Sequence, residues 1–142
     1  MTIRFIAEII PHGKERARQA MRNGYVHSYT PKKTVEFERA IAWAYKAAYR
    51  GAQMPQDAPL SINVTSYIPI PKSAPKRLRE LYASERVYHT KKPDASNILK
   101  SVEDALNGIA YSDDAQIADT RSVKFYSERP RVEVTIRTLG RE

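Results

Sequence analysis

Residues 94–109, DASNILKSVEDALNGI, have the apolar spacing of one amphipathic helix. Apolar side chains recur every three or four residues, which places them in one arc of a helix. They are Ile98, Leu99, Val102, Ala105, Leu106 and Ile109. Gly108 is a stop signal, so we predict a helix from Ser96 or Asn97 to about Asn107. Its apolar arc is predicted to face a hydrophobic core.

The polar side of this helix carries reactive side chains close together. Asn97, Lys100 and Asp104 fall within about 60° of one another, and Asp94 precedes the helix. One interpretation is structural: Lys100 and Asp104 form an exposed ion pair, and Asp94 or Ser96 is an N-cap. The other is a site for phosphate chemistry, because a carboxylate and an ammonium lie side by side.

Two adjacent carboxylates, Asp113 and Asp114, follow the helix after a short loop. Adjacent acids at such a place are commonly a turn, and in a strand only one of them could face Asp94. The chain has no cysteine, and its three histidines have no paired spacing, so oxygen ligands for Mg²⁺ or Mn²⁺ are the predicted chemistry. Such an ion polarises a scissile phosphate, and Lys100 would neutralise the developing charge.

The rest of the chain predicts strands on both sides of this helix. Apolar runs occupy about 3–10, 60–68, 117–126 and 132–138, and two further helices are predicted at about 31–50 and 75–84. The first run is apolar on both sides, which predicts a central strand. Four to five strands and about three helices, not strictly alternating, predict a single α+β domain over residues 1–142 with a mixed β-sheet.

A hairpin is predicted at Asn23-Gly24, the strongest two-residue turn signal. A turn there pairs Arg22 with Tyr25 and Arg18 with Tyr29. One face would then combine arginines and aromatic rings. Its residues are Arg16, Arg18, Arg22, Tyr25, His27 and Tyr29. This mixture suits contact with a nucleic-acid backbone and stacking on bases, although a solvated arm would have the same composition.

The charge of the chain indicates a polyanionic partner. Formal net charge is +8 and the pI is about 9.8, which favours nucleic acid or an acidic membrane surface. No apolar run approaches the ~20 residues of a membrane span, and the first residues lack a signal-peptide core, so cytoplasm is the expected location. Lys91 and Lys92 place positive charge just before Asp94.

Three motifs follow one another in the second half of the chain: KPDASNILK at 92–100, EDALNG at 103–108 and YSDDAQI at 111–117. In the first half, Pro11 is followed by the pattern G-K-x-R-x-R over 13–18. Together they closely resemble the RusA family of Holliday junction resolvases over nearly the whole chain. The resemblance implies a RusA-like fold and a homodimeric, Mg²⁺-dependent endonuclease that makes paired nicks in four-way DNA junctions. Mn²⁺ is an expected substitute for Mg²⁺.

The resemblance also implies roles for individual residues. Asp94 matches the first catalytic aspartate, Lys100 the essential lysine and Asp114 the last aspartate, with Asp113 beside it as a further metal ligand. The expected DNA contacts are Lys14, Arg16, Arg18, Lys91 and Lys92. Asn97 and Asp104 share the same polar cluster without a defined role.

Ser96 stands where the family usually has its second aspartate. A hydroxyl brings no charge, so metal affinity should be lower unless Glu103, Asp104 or Asp113 supplies a carboxylate. One alternative function is therefore a junction-binding protein with weak or no cleavage. Another is a general DNA-binding domain with structural acids and no preference for branched DNA. Nicking that depends on a divalent metal distinguishes the nuclease from both.

Overall fold

A computed structural model describes residues 1–140 as one α+β unit, which confirms the predicted fold class. The elements in chain order are β1 (Thr2–Ala7), β2 (Arg18–Arg22), β3 (Tyr25–Tyr29), α1 (Lys32–Tyr49), β4 (Leu60–Pro69), α2 (Lys76–Ala83), α3 (Ala95–Leu106), a short 3-10 helix (Asp114–Gln116), β5 (Ile117–Ser127) and β6 (Arg131–Thr138). Within residues 1–140, no helix combines the length and the apolarity needed to cross a membrane.

The main sheet has four strands in the order β1-β6-β4-β5. β4 runs parallel to β5 and antiparallel to β6, and β6 pairs antiparallel with β1, so the sheet is mixed as predicted. The prediction that the first strand is central was wrong, because β1 is an edge strand. Its residues alternate between buried and exposed, and Ile6 is 47% exposed. A strand with apolar side chains on both faces can therefore lie at the edge of the sheet, paired with one strand only.

The core lies between one face of this sheet and the helices α1 and α3. Phe37, Ile41 and Tyr45 of α1 are buried with Ile98 and Leu106 of α3. α1 ends as the sequence predicts, because Arg50 and Gly51 both adopt positive φ angles (47° and 84°) that a helix cannot continue. α3 begins at Ala95, one or two residues earlier than the predicted start at Ser96 or Asn97, so Asp94 occupies its N-cap position.

The segment between α2 and α3 passes along the outer edge of β5. The backbone N–H of Tyr126 donates to the carbonyl of Val87 (3.1 Å), and that of His89 donates to the carbonyl of Lys124 (3.0 Å). Tyr82 of α2 stacks on Tyr126 with ring centroids 4.0 Å apart. We call residues 87–93 the strap, because they connect this edge of the sheet to the start of α3.

β2 and β3 form a separate two-stranded sheet with the predicted register. Arg18 pairs with Tyr29 and Arg22 with Tyr25, as the Asn23-Gly24 turn requires. All ten residues of the two strands are exposed, so the hairpin projects from the domain. Arg16 precedes β2 and therefore lies outside the paired strands.

Candidate active site

Asp94 holds the N-cap position of α3, but its side chain does not cap the helix. Its backbone carbonyl accepts the N–H of Ile98 (3.0 Å). The polar contact of its carboxylate is with the Nδ2 of Asn97, 3.4 Å from Oδ2, and within residues 1–140 it forms no ion pair. The simple capping interpretation therefore fails for this side chain, which keeps its charge and its lone pairs available to a ligand.

A cleft of about 370 Å³ opens beside Asp94 between two segments of the chain. One wall is formed by residues 12–15 and the other by residues 92–94 with Asn97. The two walls touch through Gly13: a Cβ atom there would lie 3.1 Å from the Cβ of Pro93 and 3.2 Å from that of Asn97. A glycine is therefore the residue that allows this close approach.

Lys14 anchors the first wall to both core helices. Its backbone N–H donates to the carbonyl of Asn97 (2.9 Å). Its side-chain Nζ lies 2.7 Å from Oε2 of Glu38 and 3.1 Å from Oδ2 of Asp104. Burial lowers the pKa of Lys14, but the hydrogen bonds to Glu38 and Asp104 outweigh this effect, and the pKa lies above its ordinary value. The positive charge that was expected to contact DNA is thus shared with two carboxylates.

Lys100 forms the ion pair with Asp104 that the helical spacing suggested, at 3.1 Å. Its side chain is nevertheless 57% exposed, so the ammonium remains accessible to a ligand. The hydrogen bond to Asp104 and the charge of that residue raise the pKa of Lys100, and the charges of Asp114 and Glu103 act in the same direction. Lys100 is therefore a stable cation within the field of Asp114.

Asp113 and Asp114 begin the 3-10 helix and are not part of β5. Oδ1 of Asp113 accepts the N–H of Ala115 (3.0 Å), and Oε1 of Gln116 accepts the N–H of Asp113 (3.2 Å). This reciprocal capping fixes the turn. The N–H of Asp114 donates to Oδ1 of Asn107 (3.0 Å), which fastens the turn to the end of α3. One oxygen of Asp113 is thus used for structure, whereas the carboxylate of Asp114 forms no ion pair in the part of the chain described.

Glu103 adds a third acid to this end of α3. Burial raises its pKa, and the negative charge of Asp114 raises it further. Acidic charge is therefore concentrated around Asp114 and balanced in part by Lys100. The sequence had named Glu103 as one possible source of the carboxylate that Ser96 lacks, and that role stays a prediction.

The remaining expected contacts are on the surface. Lys91 and Lys92 are exposed on the strap, Ser96 is exposed in the first turn of α3, and Arg16 is exposed ahead of the hairpin. Arg18 is 64% exposed and pairs with Glu15 at 3.3 Å. These side chains can reach a ligand without rearrangement of the core.

Two residues of β5 that the sequence did not single out support the site. Lys124 donates from Nζ to the carbonyls of Lys91 (2.6 Å) and Pro93 (2.8 Å), and Ser122 donates from Oγ to the carbonyl of Ala95 (2.8 Å). The periodicity of a strand predicts that Ser122 and Lys124 share one face. It does not predict which loop lies over that face, so the sequence did not predict these contacts.

The donor set suits a hard divalent cation. The candidate ligands are carboxylate oxygens, and the chain contains no thiolate. Within residues 1–140, no three His, Asp or Glu side chains gather in an arrangement that could hold a metal ion. Mg²⁺ in nucleotide and nucleic-acid enzymes is commonly bound by only one or two carboxylates, with water and substrate phosphate completing its coordination. Asp94 precedes α3 and Asp114 is bonded to Asn107 at the other end, so a twelve-residue helix of about 18 Å separates the two carboxylates. Each of them by itself fits that mode of binding.

A comparison with known protein families shows to which family this chain belongs. The family model described as Endodeoxyribonuclease RusA matches residues 8–137. This chain belongs to the RusA family. The RusA match includes every candidate site residue from Lys14 to Asp114. The chain is also 38% identical over 140 residues to the uncharacterized protein YqaN of Bacillus subtilis (strain 168), covering 97% of each chain.

Proposed function

We propose that this RusA-family protein is a divalent-metal-dependent endonuclease that resolves four-way DNA junctions by paired phosphodiester hydrolysis. One observation carries the proposal: the carboxylate of Asp94 is uncapped and unpaired within residues 1–140 and borders a cleft that Lys14 and Lys92 also line. An exposed carboxylate beside lysines in a chain of net charge +8 suits a cation that meets a phosphate.

Asp94 and Asp114 are each proposed as a ligand of Mg²⁺, or of Mn²⁺ in its place, with water and DNA phosphate completing the coordination. Asp113 supports them with the oxygen that its capping interaction does not use. When bound, the ion would polarise the scissile phosphate and lower the pKa of a water nucleophile. Neither Asp94 nor Asp114 forms an ion pair in the described part of the chain, so both carboxylates can bind an ion.

Lys100 is the proposed stabiliser of the transition state. Its raised pKa keeps the ammonium charged at neutral pH, and its exposure lets it meet a phosphate oxygen. Asp104 holds the lysine at 3.1 Å, so the charge is oriented before DNA binds. A positive charge placed in advance stabilises negative charge that develops during hydrolysis.

The hairpin and the strap are the proposed DNA-binding surfaces. Arg18, Arg22 and the two tyrosines Tyr25 and Tyr29 share one exposed face of the hairpin. Lys91 and Lys92 extend the positive surface beside Asp94. Arginines can bind phosphates, and aromatic rings can stack on bases that are not covered by a neighbouring pair.

Paired nicks require two active sites, and we propose that a homodimer supplies them. A two-fold axis would place one site on each of two opposed strands. The chain should therefore sediment as a dimer at micromolar concentration. A stable monomer that still makes paired nicks would contradict this part of the mechanism.

The deciding experiment incubates the protein with a synthetic four-way junction, with and without Mg²⁺ or Mn²⁺, and resolves the strands on a denaturing gel. Nicking that requires the metal supports the proposal. Asp94→Asn and Asp114→Asn should each lose nicking while metal-free junction binding persists or tightens, because a repulsive charge has been removed. Asp57→Asn, at an exposed loop position, is the matched control and should cleave normally. Either site variant nicking at the wild-type rate would refute the proposed ligands.

Ser96 favours a second candidate function, a junction-binding protein with weak or no cleavage. The position usually occupied by an acidic residue in the family carries a neutral hydroxyl, and no three-ligand group forms within residues 1–140. Junction binding without nicking in either metal would support this candidate. Equal binding of linear and four-way DNA would instead indicate a general DNA-binding domain.

A further inference from the structure

We infer that Ser122 and Lys124 are positioning residues for Asp94, an inference that rests on the proposed function. The two side chains lie two residues apart in β5, so they project from the same face of the strand. Both donate to backbone carbonyls of the segment that carries Asp94. Together they contact three carbonyls within five residues of the chain, on both sides of that aspartate.

Lys124 fixes the end of the strap. Its Nζ lies 2.6 Å from the carbonyl oxygen of Lys91 and 2.8 Å from that of Pro93, the residue directly before Asp94. An ammonium has three donor hydrogens and no acceptor, so it can bridge two carbonyls at once. Hydrogen bonds from a charged donor are about twice as strong as those between neutral groups. The bridge therefore restrains the backbone on one side of the aspartate.

Ser122 fixes the other side. Its Oγ lies 2.8 Å from the carbonyl oxygen of Ala95, the first residue of α3. Asp94 thus lies between Pro93 and Ala95, and both of these residues are hydrogen-bonded to β5 of the main sheet. The Asp94 carboxylate has no capping bond, and its hydrogen bond from Asn97 is long at 3.4 Å, so the position of its backbone has a large effect on where its oxygens lie.

The consequence is a direct connection between β5 and the proposed ion site. β5 begins immediately after the turn that holds Asp114, and farther along the same strand Lys124 contacts the strap and Ser122 contacts the first residue of α3. One strand therefore adjoins the turn that holds Asp114 and contacts the segment that carries Asp94. Residues that orient metal ligands in this way typically change activity or metal affinity by about 10–100-fold when they are removed.

Lys124→Met tests this inference, because it keeps the apolar stem and removes the donor. Single-turnover nicking at saturating protein should fall by about tenfold, while junction affinity changes far less. Lys124→Arg restores a charged donor and should recover most of the rate. Ser122→Ala should lower the rate by a smaller factor. Arg121→Met is the matched control: it removes a charge from the opposite face of the same strand and should behave as wild type.

Hydrogen–deuterium exchange provides a readout that does not depend on nuclease activity. The amide of His89 donates to the backbone carbonyl of residue 124, and the amide of Ile98 donates to that of Asp94. In Lys124→Met, exchange at these two amides should increase, while the amides of α1 keep their protection. Unchanged exchange at both positions would overturn the inference. An equal increase throughout the domain would also overturn it, because the role would then be general stability.

The two proposals fail in different ways. If the wild-type protein never nicks DNA, the proposed function fails, but the exchange comparison still tests the positioning of Asp94. If the wild type nicks DNA and Lys124→Met loses junction affinity and nicking to the same extent, Lys124 is a DNA contact and the inference is wrong.

Discussion

Nζ of Lys14 lies 3.1 Å from Oδ2 of Asp104, which connects the first wall of the cleft to the last turn of α3. The other oxygen of Asp104 lies 3.1 Å from Nζ of Lys100. One carboxylate therefore orients the proposed catalytic lysine and holds the chain segment that faces Asp94. The ion pair expected from helical spacing exists, but it belongs to a network that also includes Glu38.

Asp104→Asn should destabilise the protein, because it removes the charge that Lys14 and Lys100 share. Lys14 keeps Glu38 as a partner, so we expect a loss of about 1 kcal/mol in the free energy of unfolding, measured by urea denaturation. Glu36→Gln breaks the exposed pair with Lys32, which is 3.9 Å long, and serves as the control with little expected effect. If both variants lost the same free energy of unfolding, the network around Asp104 would stabilise the protein no more than a single exposed ion pair does.

Local chemistry explains which parts of the fold were predictable. The Asn23-Gly24 turn requires positive φ at both residues, and the structure has 53° and 80° there, so two residues determined the hairpin and its register. The apolar arc of α3 likewise predicted the helix, since 3.6-residue periodicity is independent of its neighbours. Ile6 was misleading because its side chain is apolar although its face of the sheet is exposed.

The site was only partly predictable because its supports come from distant segments. Asp94, Lys100 and Asp114 stand out through their spacing and motifs. The contacts of Lys124 with Lys91 and Pro93 depend on the order of strands in the sheet and on the path of the strap over β5. Strand order is decided by packing of the whole chain, and the periodicity of one strand contains no information about it.

Arg16→Ala combined with Arg18→Ala should reduce the salt dependence of junction binding. Each phosphate contact releases counterions, so loss of two contacts should lower the slope of log K against log salt by about 2. The measurement is junction affinity over a series of salt concentrations without divalent metal. Replacing Arg39 and Lys46, two exposed cations of α1, is the control for net charge. An unchanged slope in the hairpin variant would exclude these arginines as phosphate contacts.

His89 should make stability depend on pH. Burial lowers the pKa of His89 from its ordinary 6.5, and the charges of Lys124 and Lys91 lower it further. The unfolded chain therefore binds a proton more readily than the folded protein. The stabilising contribution is complete above the unfolded pKa and is lost as pH falls through 6.5 toward the folded pKa.

His89→Phe should reduce this dependence, because phenylalanine does not titrate and can keep the edge contact with Tyr126, whose ring centroid lies 5.0 Å from that of His89. The measurement is the free energy of unfolding at several values between about pH 7.5 and pH 5.5. His27→Phe, on the exposed hairpin, is the control and should keep the wild-type slope. If the His89→Phe protein lost stability with acid as steeply as wild type, another group would be responsible.

Ser96→Asp should strengthen the proposed ion site, because it restores a carboxylate at the position where the family usually has one. Ser96 is exposed in the first turn of α3, two residues from Asp94, and negative charge is favourable at a helix N-terminus. Nicking should then reach half of its maximum at a lower Mg²⁺ concentration. The native serine protein should be more active with Mn²⁺ than with Mg²⁺, because Mn²⁺ binds such ligands more strongly.

The control for this substitution is Ser73→Asp, which adds the same charge at an exposed loop position and should leave the metal midpoint unchanged. If Glu103 or Asp113 already fills the vacant ligand position, a new aspartate would crowd like charges and bring no gain. Mg²⁺ titrations of the nicking rate for the wild type and both variants distinguish these cases. An identical midpoint in the wild type and Ser96→Asp would show that position 96 does not contribute to the ion site, and that the serine is no cause of weaker metal binding.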